Sequence, residues 1–427
     1  MRAGALATDA TRKAAEGLLH ALPLPEGEAG WARDARAAAR ARLLEAGAPV
    51  KRDEYWRFTD PRALTVPMEP VGEGEPEKAS TAFDGIEAVT QHFVNGRYRP
   101  DLSDPLAIEG VAAGALSDVL AQDISIAREL FGKLEAAGHE KVDRPLAMLN
   151  TATAREGLVL QVTGEAPLPL HLRHAQIGEG SSMLRHLIRV EKGGSLTVLE
   201  TGTPSNSVME VDVAAGGTFR HIRVQTGARA PSAAHIFARI GSEAKFQSFT
   251  LMADGKLTRN ETVMDLVGDD AVGHIAGAVL GKADAHLDNT VFVTHSALNG
   301  ESRQVFKNVL EGKATAVFQG KIFVREGAQK TDGYQISQAV ILEDGAEFLV
   351  KPELEIYADD VACSHGSTTG ALDPDQLFYL TARGVPRKAA EAMLVAAFAD
   401  EAIMEIEDDA IADAMREAVS EWMATRG

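Results

Sequence analysis

The residues best placed to do chemistry lie together in KPELEIYADDVACSHG, Lys351 to Gly366, where the chain's only cysteine, Cys363, precedes His365 by two positions. A thiolate and an imidazole so arranged admit three readings: ligands for a borderline or soft metal, a nucleophile with its base, or a buried cysteine beside a capping histidine. On an extended strand the two side chains share one face, with Cα atoms about 6.5 Å apart at ~3.3 Å per residue. That is loose for a thiolate–imidazole pair, which needs contact at about 3 Å, and easier for two ligands converging on a metal. A lone cysteine cannot complete an iron–sulfur cluster, which takes about four protein ligands. A metal site here would be half a site, its other ligands supplied from elsewhere, most simply by a second chain.

Other constellations compete with this one. Asp359 and Asp360, with Glu353 and Glu355 upstream, could act as paired carboxylates of a polysaccharide-active enzyme or hold calcium. Strand alternation instead puts Glu353, Glu355 and Tyr357 on one face, as a solvated edge or a polar interface. His274, His286 and His295 are too widely spaced for a compact zinc motif and read as hydrogen-bonded imidazoles at turns and strand positions. Gly277-Ala-Val-Leu-Gly281-Lys282 imitates a phosphate loop, but it is one residue short and Ala283 stands where a magnesium-binding hydroxyl belongs. If ATP matters, another chain hydrolyses it.

Composition narrows the field. In 427 residues, 45% are apolar, which supports a large core, and the formal charge of −19 argues against a nucleic-acid partner. A single cysteine permits no internal disulfide framework and fits a reducing cytoplasm. Arg12, Lys13 and Glu16 interrupt any secretory h-region, so no signal peptide is expected. No apolar run is long enough to span a membrane; Met393 to Phe398 is closed by Asp400 and Glu401.

The elements that must position these groups fall into three textures. From Thr8 to about Gly47 the chain is rich in Ala, Arg and Glu and broken at Pro23-Leu-Pro25. Here Arg33, Arg36 and Arg40 form one helical face, read as solvated, opposite Ala35, Ala39 and Leu43. Val66 to Glu77 reads as a linker, and Ala115 to Ala137 as a further helical piece. Between about Gly157 and Asp360, short alternating runs recur, such as Leu158 to Val162, Leu184 to Val190, Ser195 to Leu199, Ala234 to Ile240 and Lys245 to Leu251. Glycine pairs and Gly-acidic turns bound most of them. They predict an all-β array, either a barrel, a sandwich or a solenoid, although no residue-level repeat is visible. A solenoid would need its ends covered. After Gly366 helices return: Asp373, Pro374 and Gln376 form an N-cap, first-turn proline and capping box, and Gly384 and Pro386 separate this helix from the next. The second helix carries Met393, Leu394, Ala397 and Phe398 at helical spacing, and a third presents Ile411, Met415, Val419 and Trp422 on one face. The Leu377-Phe-Tyr-Leu380 face exceeds what one short helix must bury and could dock a partner.

Taken as a set, these residues resemble the SufB/SufD iron–sulfur cluster assembly family. The resemblance rests on Lys351 to Gly366, then Leu372-Asp373 and Leu377-Phe-Tyr-Leu-x-x-Arg383-Gly384. Upstream it is carried in order by Arg259-Asn-Glu261, His286-Leu-Asp-Asn289, Lys307-Asn-Val-Leu310, Val317 to Ile322 and Ala328 to Gln335, with Lys51 to Thr59 near the start. The single cysteine and shorter N-terminal region are similar to SufD-type rather than SufB-type members, and His295-Ser-Ala-Leu departs from the family where a proline is common. The resemblance implies a mainly β chain: a right-handed parallel β-helix core at 157–366, flanked by an N-terminal helical domain at 1–65 and a C-terminal helical domain at 367–427. Residues 66–156 would form a linker and a mixed helix/strand start of the core. It implies a non-catalytic, cytoplasmic scaffold that pairs with a SufB-like chain, or with itself as a homodimer when alone. It also implies docking of the ATPase SufC through Asp373, Leu377, Phe378, Tyr379, Leu380 and Arg383. No intrinsic cofactor is implied, only a transient iron–sulfur cluster at the interface with SufB, held by His365 and, with it, Cys363. A structural partner that never touches the cluster is the other reading within the family.

Overall fold

The computed structural model describes residues 7–22, 25–66, 81–138, 142–177, 182–228 and 230–425. The chain opens with helices α1 (Asp9–Ala21) and α2 (Gly30–Ala46), followed by 3-10 turns at Glu54–Trp56 and Pro61–Leu64. Strands β1 (Val89–Val94), β2 (Arg97–Tyr98) and β3 (Val111–Ala115) lead into α3 (Leu116–Leu120), α4 (Ala127–Leu130), α5 (Lys133–Gly138) and α6 (Pro145–Thr153). An unbroken series of strands follows: β4 (Leu158–Val162), β5 (Leu170–Ala175), β6 (Met183–Val190), β7 (Ser195–Thr201), β8 (Asn206–Val213), β9 (Thr218–Ala228), β10 (Ser232–Ile240) and β11 (Lys245–Gly255). It continues through β12 (Leu257–Leu266), β13 (Val272–Gly281), β14 (His286–His295), β15 (Glu301–Leu310), β16 (Thr315–Val324), β17 (Asp332–Ile341), β18 (Glu347–Ile356) and β19 (Ala362–Gly370). Helices α7 (Pro374–Thr381), α8 (Arg387–Ile403) and α9 (Asp409–Ala424) close the chain.

From β4 onward, successive strands alternate between two sheets. One runs β19-β17-β15-β13-β11-β9-β7-β5-β1-β2, the other β18-β16-β14-β12-β10-β8-β6-β4-β3. All neighbours from β4 to β19 within a sheet are parallel, so the array is a β-solenoid rather than a barrel or sandwich. Inward side chains of the two sheets interdigitate in one apolar core that includes Leu172, Ile188, Phe219, Ile236, Phe246, Val291 and Phe318. Aromatic pairs bridge coils and sheets, with Phe219 and Phe246 stacked at 5.7 Å and Phe306 meeting Phe318 at 4.8 Å between centroids.

The repeat is hidden by its turns. At one corner each coil places a residue at positive φ: Gly193, Gly216, Glu243, Asp270, Asn299 and Lys330. The amide of each donates to a carbonyl of the next coil, as in Glu243 N–H to Asp269 O and Asn299 N–H to Gln329 O. The first two positions are glycine, which adopts this conformation freely; the later four are not, and the stacked hydrogen bonds offset their strain. A structural period thus exists without a period in residue type.

Helices cover the outer faces. Packed on the first sheet, α8 and α9 share an apolar cluster with Ile222, Phe249, Ala276 and Val305. On the second sheet lie α5, α6 and the segment around Tyr55: Phe237 packs with Leu134 and Ala147, and Tyr55 meets the Phe292 ring at 4.9 Å. No helix among the described residues is long and apolar enough to cross a membrane.

Several expectations are corrected. Arg36 is buried, not solvated: its guanidinium binds Glu28 at 2.6 Å and donates to the Thr151 and Ala154 carbonyls at the end of α6. A helix C-terminus leaves carbonyls unsatisfied and attracts a cation, so the arginine sits on the packed face with Ala32, Ala39 and Leu43. On α8 the buried stripe is Ala390, Val395, Ala399, Ala402 and Ile403, while Met393 and Ala397 face solvent. Small alanines let the helix approach the sheet closely, which large apolar residues at helical spacing do not reveal. The expected helix over Ala115 to Ala137 is instead three short ones, interrupted at Gln122–Ser125 and at Gly132, whose φ is 69°. Helix α6 was not anticipated, because it is buried all round and carries no amphipathic signal. The α9 face of Ile411, Met415, Val419 and Trp422 is buried as expected. Apart from Val66, the proposed linker lies outside the described residues, as do Pro23 and Leu24.

Candidate functional site

Cys363 and His365 lie on β19, the last strand of its sheet, which pairs with β17 and leaves its other edge free among the described residues. β18 is likewise the last strand of the second sheet, so both free edges lie at one end of the solenoid. Burial falls away there: β14 and β16 are almost wholly buried, β18 is mostly half-buried and β19 mostly exposed.

Parallel register fixes which way the pair points. Cys363 stands over Gly333 and His365 over the buried Gln335, both on the inward side of β17. The thiol packs with Ile322, Val324, Ala328 and Ala358. A Cβ on Gly333 would come within 3.2 Å of Cys363 Sγ, so the glycine makes room for the sulfur. Burial pushes the Cys363 thiol above its ordinary value, the Gly333 backbone opposing and Asp332 adding to the shift. At neutral pH the sulfur is therefore a thiol, a poor nucleophile that becomes a strong ligand once a metal displaces its proton. His365, two residues on, shares the inward face but is exposed because, among the described residues, no further coil lies above it.

The rival constellations are engaged elsewhere. Glu353 accepts from the Tyr55 hydroxyl at 2.8 Å and lies 3.2 Å from Lys351; Glu355 pairs with Lys321 at 2.7 Å and accepts from Tyr357 at 2.9 Å. Asp360 pairs with Lys330 across the turn stack. The three histidines are not brought together. His274 lies between Glu301 and Glu405, His286 contacts Thr59 at 2.9 Å, and His295 contacts Ser302 at 2.9 Å. Among the described residues, no group of three or more His, Cys, Asp and Glu side chains is arranged to hold a metal. Gly277 to Gly281 is strand β13, whose backbone groups are committed to the ladder and cannot cradle a phosphate.

Beyond β19, α7 starts as expected: Asp373 accepts from the amides of Asp375 at 2.8 Å and Gln376 at 3.3 Å, and Pro374 follows the cap. The helix has no buried residue, and Phe378 and Tyr379 are 71% and 57% exposed. Arg383 lies over the Tyr379 ring at 3.4 Å. This helix is therefore an exposed apolar surface rather than part of the core. The α8–α9 unit behind it is bound firmly to the solenoid. Lys307 pairs with Glu401, Arg303 and His274 with Glu405, and Arg220 with Glu407. Trp422 donates to Asp254 at 3.1 Å.

Sequence reasoning did not single out Gln335, buried beneath His365, or the ionic cluster inside the first coils. There Glu200 binds Arg223 at 2.7 Å, His221 at 2.8 Å and His174 at 3.1 Å. Burial opposes its charge, yet Arg223 and the two histidines hold the Glu200 carboxyl well below its usual range. The available signal was a polar residue at an inward position of an otherwise apolar strand, which can be read only once the inward side is known.

Residues 173–398 match the family described as SUF system FeS cluster assembly, SufBD core domain. The chain is 28% identical over 382 residues to the iron–sulfur cluster assembly protein SufD of Escherichia coli, covering 86% of this chain and 88% of that protein. It is 26% identical to a SufBD family assembly protein of Synechocystis, covering 87% of each. It is 24% identical to the SufD of Bacillus subtilis, covering 80% of this chain and 82% of that one.

Proposed function

Given that the chain belongs to the SufBD core family of the SUF iron–sulfur assembly system, we propose that it is a SufD-type, non-catalytic scaffold whose open solenoid end is completed by a SufB-like chain. The observation that carries this reading is the free edge of β19, which presents His365 and Cys363 on the inward side of an uncovered last coil. A second solenoid end placed against it would extend both sheets and bring the partner's ligands over the same face. His365 then contributes a nitrogen to a nascent cluster, the cargo of the assembly, with Cys363 beside it, and the partner supplies the remaining ligands. A second copy of this chain could occupy the same edge when the SufB-like chain is absent.

The exposed Phe378 and Tyr379 of α7, with Asp373, Leu377, Leu380 and Arg383 around them, are the docking surface for the ATPase SufC. The ion pairs from Glu401, Glu405 and Glu407 to the solenoid would give ATP-driven movement of SufC a stiff route to β9, β13 and β15. From there it would act on the sheet edge and expose Cys363 and His365 to iron and sulfide. The carbohydrate-enzyme reading loses ground because Glu353 and Glu355 are tied into hydrogen bonds and ion pairs.

The test is to assemble the chain with a SufB-like protein and SufC, reconstitute the cluster, and record its visible absorption for wild type and His365→Ala. Loss of the cluster band with the complex intact supports the assignment. A full band would leave this chain a structural partner only, and failure to assemble would sink the scaffold reading itself.

A further inference from the structure

Beneath His365 the lumen holds two glutamines in successive coils. Gln304 on β15 stands under Gln335 on β17, which stands under His365 on β19. Both glutamines are fully buried, and both the amide nitrogen and the amide oxygen of each lack a partner among the described residues. One coil lower the same position is the apolar Ile275, so the polar column begins at Gln304 and leads only to the open end. Room for the upper amide is built in: a Cβ at Gly320, across the lumen on β16, would come within 1.8 Å of Gln335 Nε2. Leaving a buried amide unpaired costs about 1–3 kcal/mol, so two of them in one column demand a polar partner, and the first polar side chain above is the imidazole.

We propose that Gln335 is the positioning residue for His365. Turned toward the imidazole, its unpaired amide carbonyl would accept the N–H of one ring nitrogen, fix the tautomer and leave the other nitrogen directed out of the solenoid end as a ligand. A ligating histidine is ordinarily oriented by such a partner on its second nitrogen. The inference deepens the reading of His365 as a cluster ligand and rests on it.

The experiment compares Gln335→Met, which keeps length and removes the acceptor, with Gln304→Met one coil deeper, on the full chain. Nitrogen NMR of 15N-histidine-labelled protein reads the His365 tautomer, and visible absorption of the reconstituted complex reads the cluster. Wild type and Gln304→Met should show one dominant tautomer, and Gln335→Met a mixture approaching that of free imidazole. In Gln335→Met the cluster should be held about 10-fold more weakly. A tautomer ratio unchanged in Gln335→Met overturns the proposal, the amides then being satisfied by water, even if His365→Ala still abolishes the cluster. A tautomer shift with an unaffected cluster would overturn instead the ligand role of His365. If Gln335→Met does not fold, Gln335→Glu, which keeps the acceptor, takes its place and should preserve the wild-type tautomer; loss of that tautomer in a folded Gln335→Glu chain also overturns the proposal.

Discussion

The two ends of the solenoid are built from the same alternating strands yet are finished in opposite ways. At the first end, β2 and β3 turn antiparallel onto β1 and β4, are short, and leave little edge to pair with. Phe93 closes the lumen there, 1% exposed, with Tyr98, His174 and His186 around its ring at 5.4 to 5.5 Å. At the last end no strand among the described residues reverses. β18 and β19 keep parallel geometry to the rim, and the inward positions turn from Phe and Val to His365, Ser367 and Thr369. The inward positions there are hydrophilic, and the backbone of the last strand has an edge left unpaired among the described residues. One end stops the stack; the other leaves it to be continued.

The contrast can be broken most severely at the closed end. Phe93→Ala should cost ~3–5 kcal/mol, as for other buried aromatic truncations, and urea unfolding should show it directly. If stability falls by less than ~1 kcal/mol, the first end is not a closed core.

The closed half also carries most of the acid sensitivity. Burial holds His171 down to about 4 and His186 to about 3, and farther along holds His295 down to about 4. The unfolded imidazoles take up protons below about pH 6.5 while the folded ones stay neutral to about 4, so protonation favours the unfolded chain. Stability should be complete above pH 6.5 and fall as pH drops toward 4, by up to ~1.4 kcal/mol per pH unit for each histidine. Urea midpoints at pH 7, 5.5 and 4.5 check the slope; a flat profile would contradict the burial.

At the open end the expected effect is on association rather than folding. Ser364→Lys with Thr368→Lys, both on the exposed outward side of β19, places charge along the edge. It should weaken the proposed pairing with a SufB-like chain by roughly 10-fold or more, with folding stability changed by no more than ~0.5 kcal/mol. Sedimentation and thermal melts separate the two. The smallest effect is expected for Met393→Gln: as a solvent-facing residue of α8 it should shift stability by less than ~0.5 kcal/mol, whereas a core methionine would cost several times that.

Much of this was legible in the residue order. The cap at Asp373, the α9 stripe and the strands beginning near Leu158, Leu184, Ser195, Ala234 and Lys245 depend on local chemistry and short-range alternation, which the sequence displays. The positions misread, Arg36 and the α8 stripe, depend on what lies across from a helix: carbonyls at the end of α6 for Arg36, and a flat sheet that selects alanine for α8. The coil repeat escaped notice because inter-coil hydrogen bonds let Glu243, Asp270, Asn299 and Lys330 occupy turns that glycine fills in earlier coils.

The same division runs through the segment Lys351 to Gly366. By itself the sequence determined that one thiol and one imidazole share a strand face and that a cluster needs more ligands than this chain provides there, because both follow from residue type and spacing. Only the tertiary structure decided that this strand is the last of its sheet, that its inward face looks out of an uncovered lumen, and that a buried glutamine stands beneath the histidine. Those depend on strand order and register, which are fixed by contacts between residues about one coil apart and have no local signature.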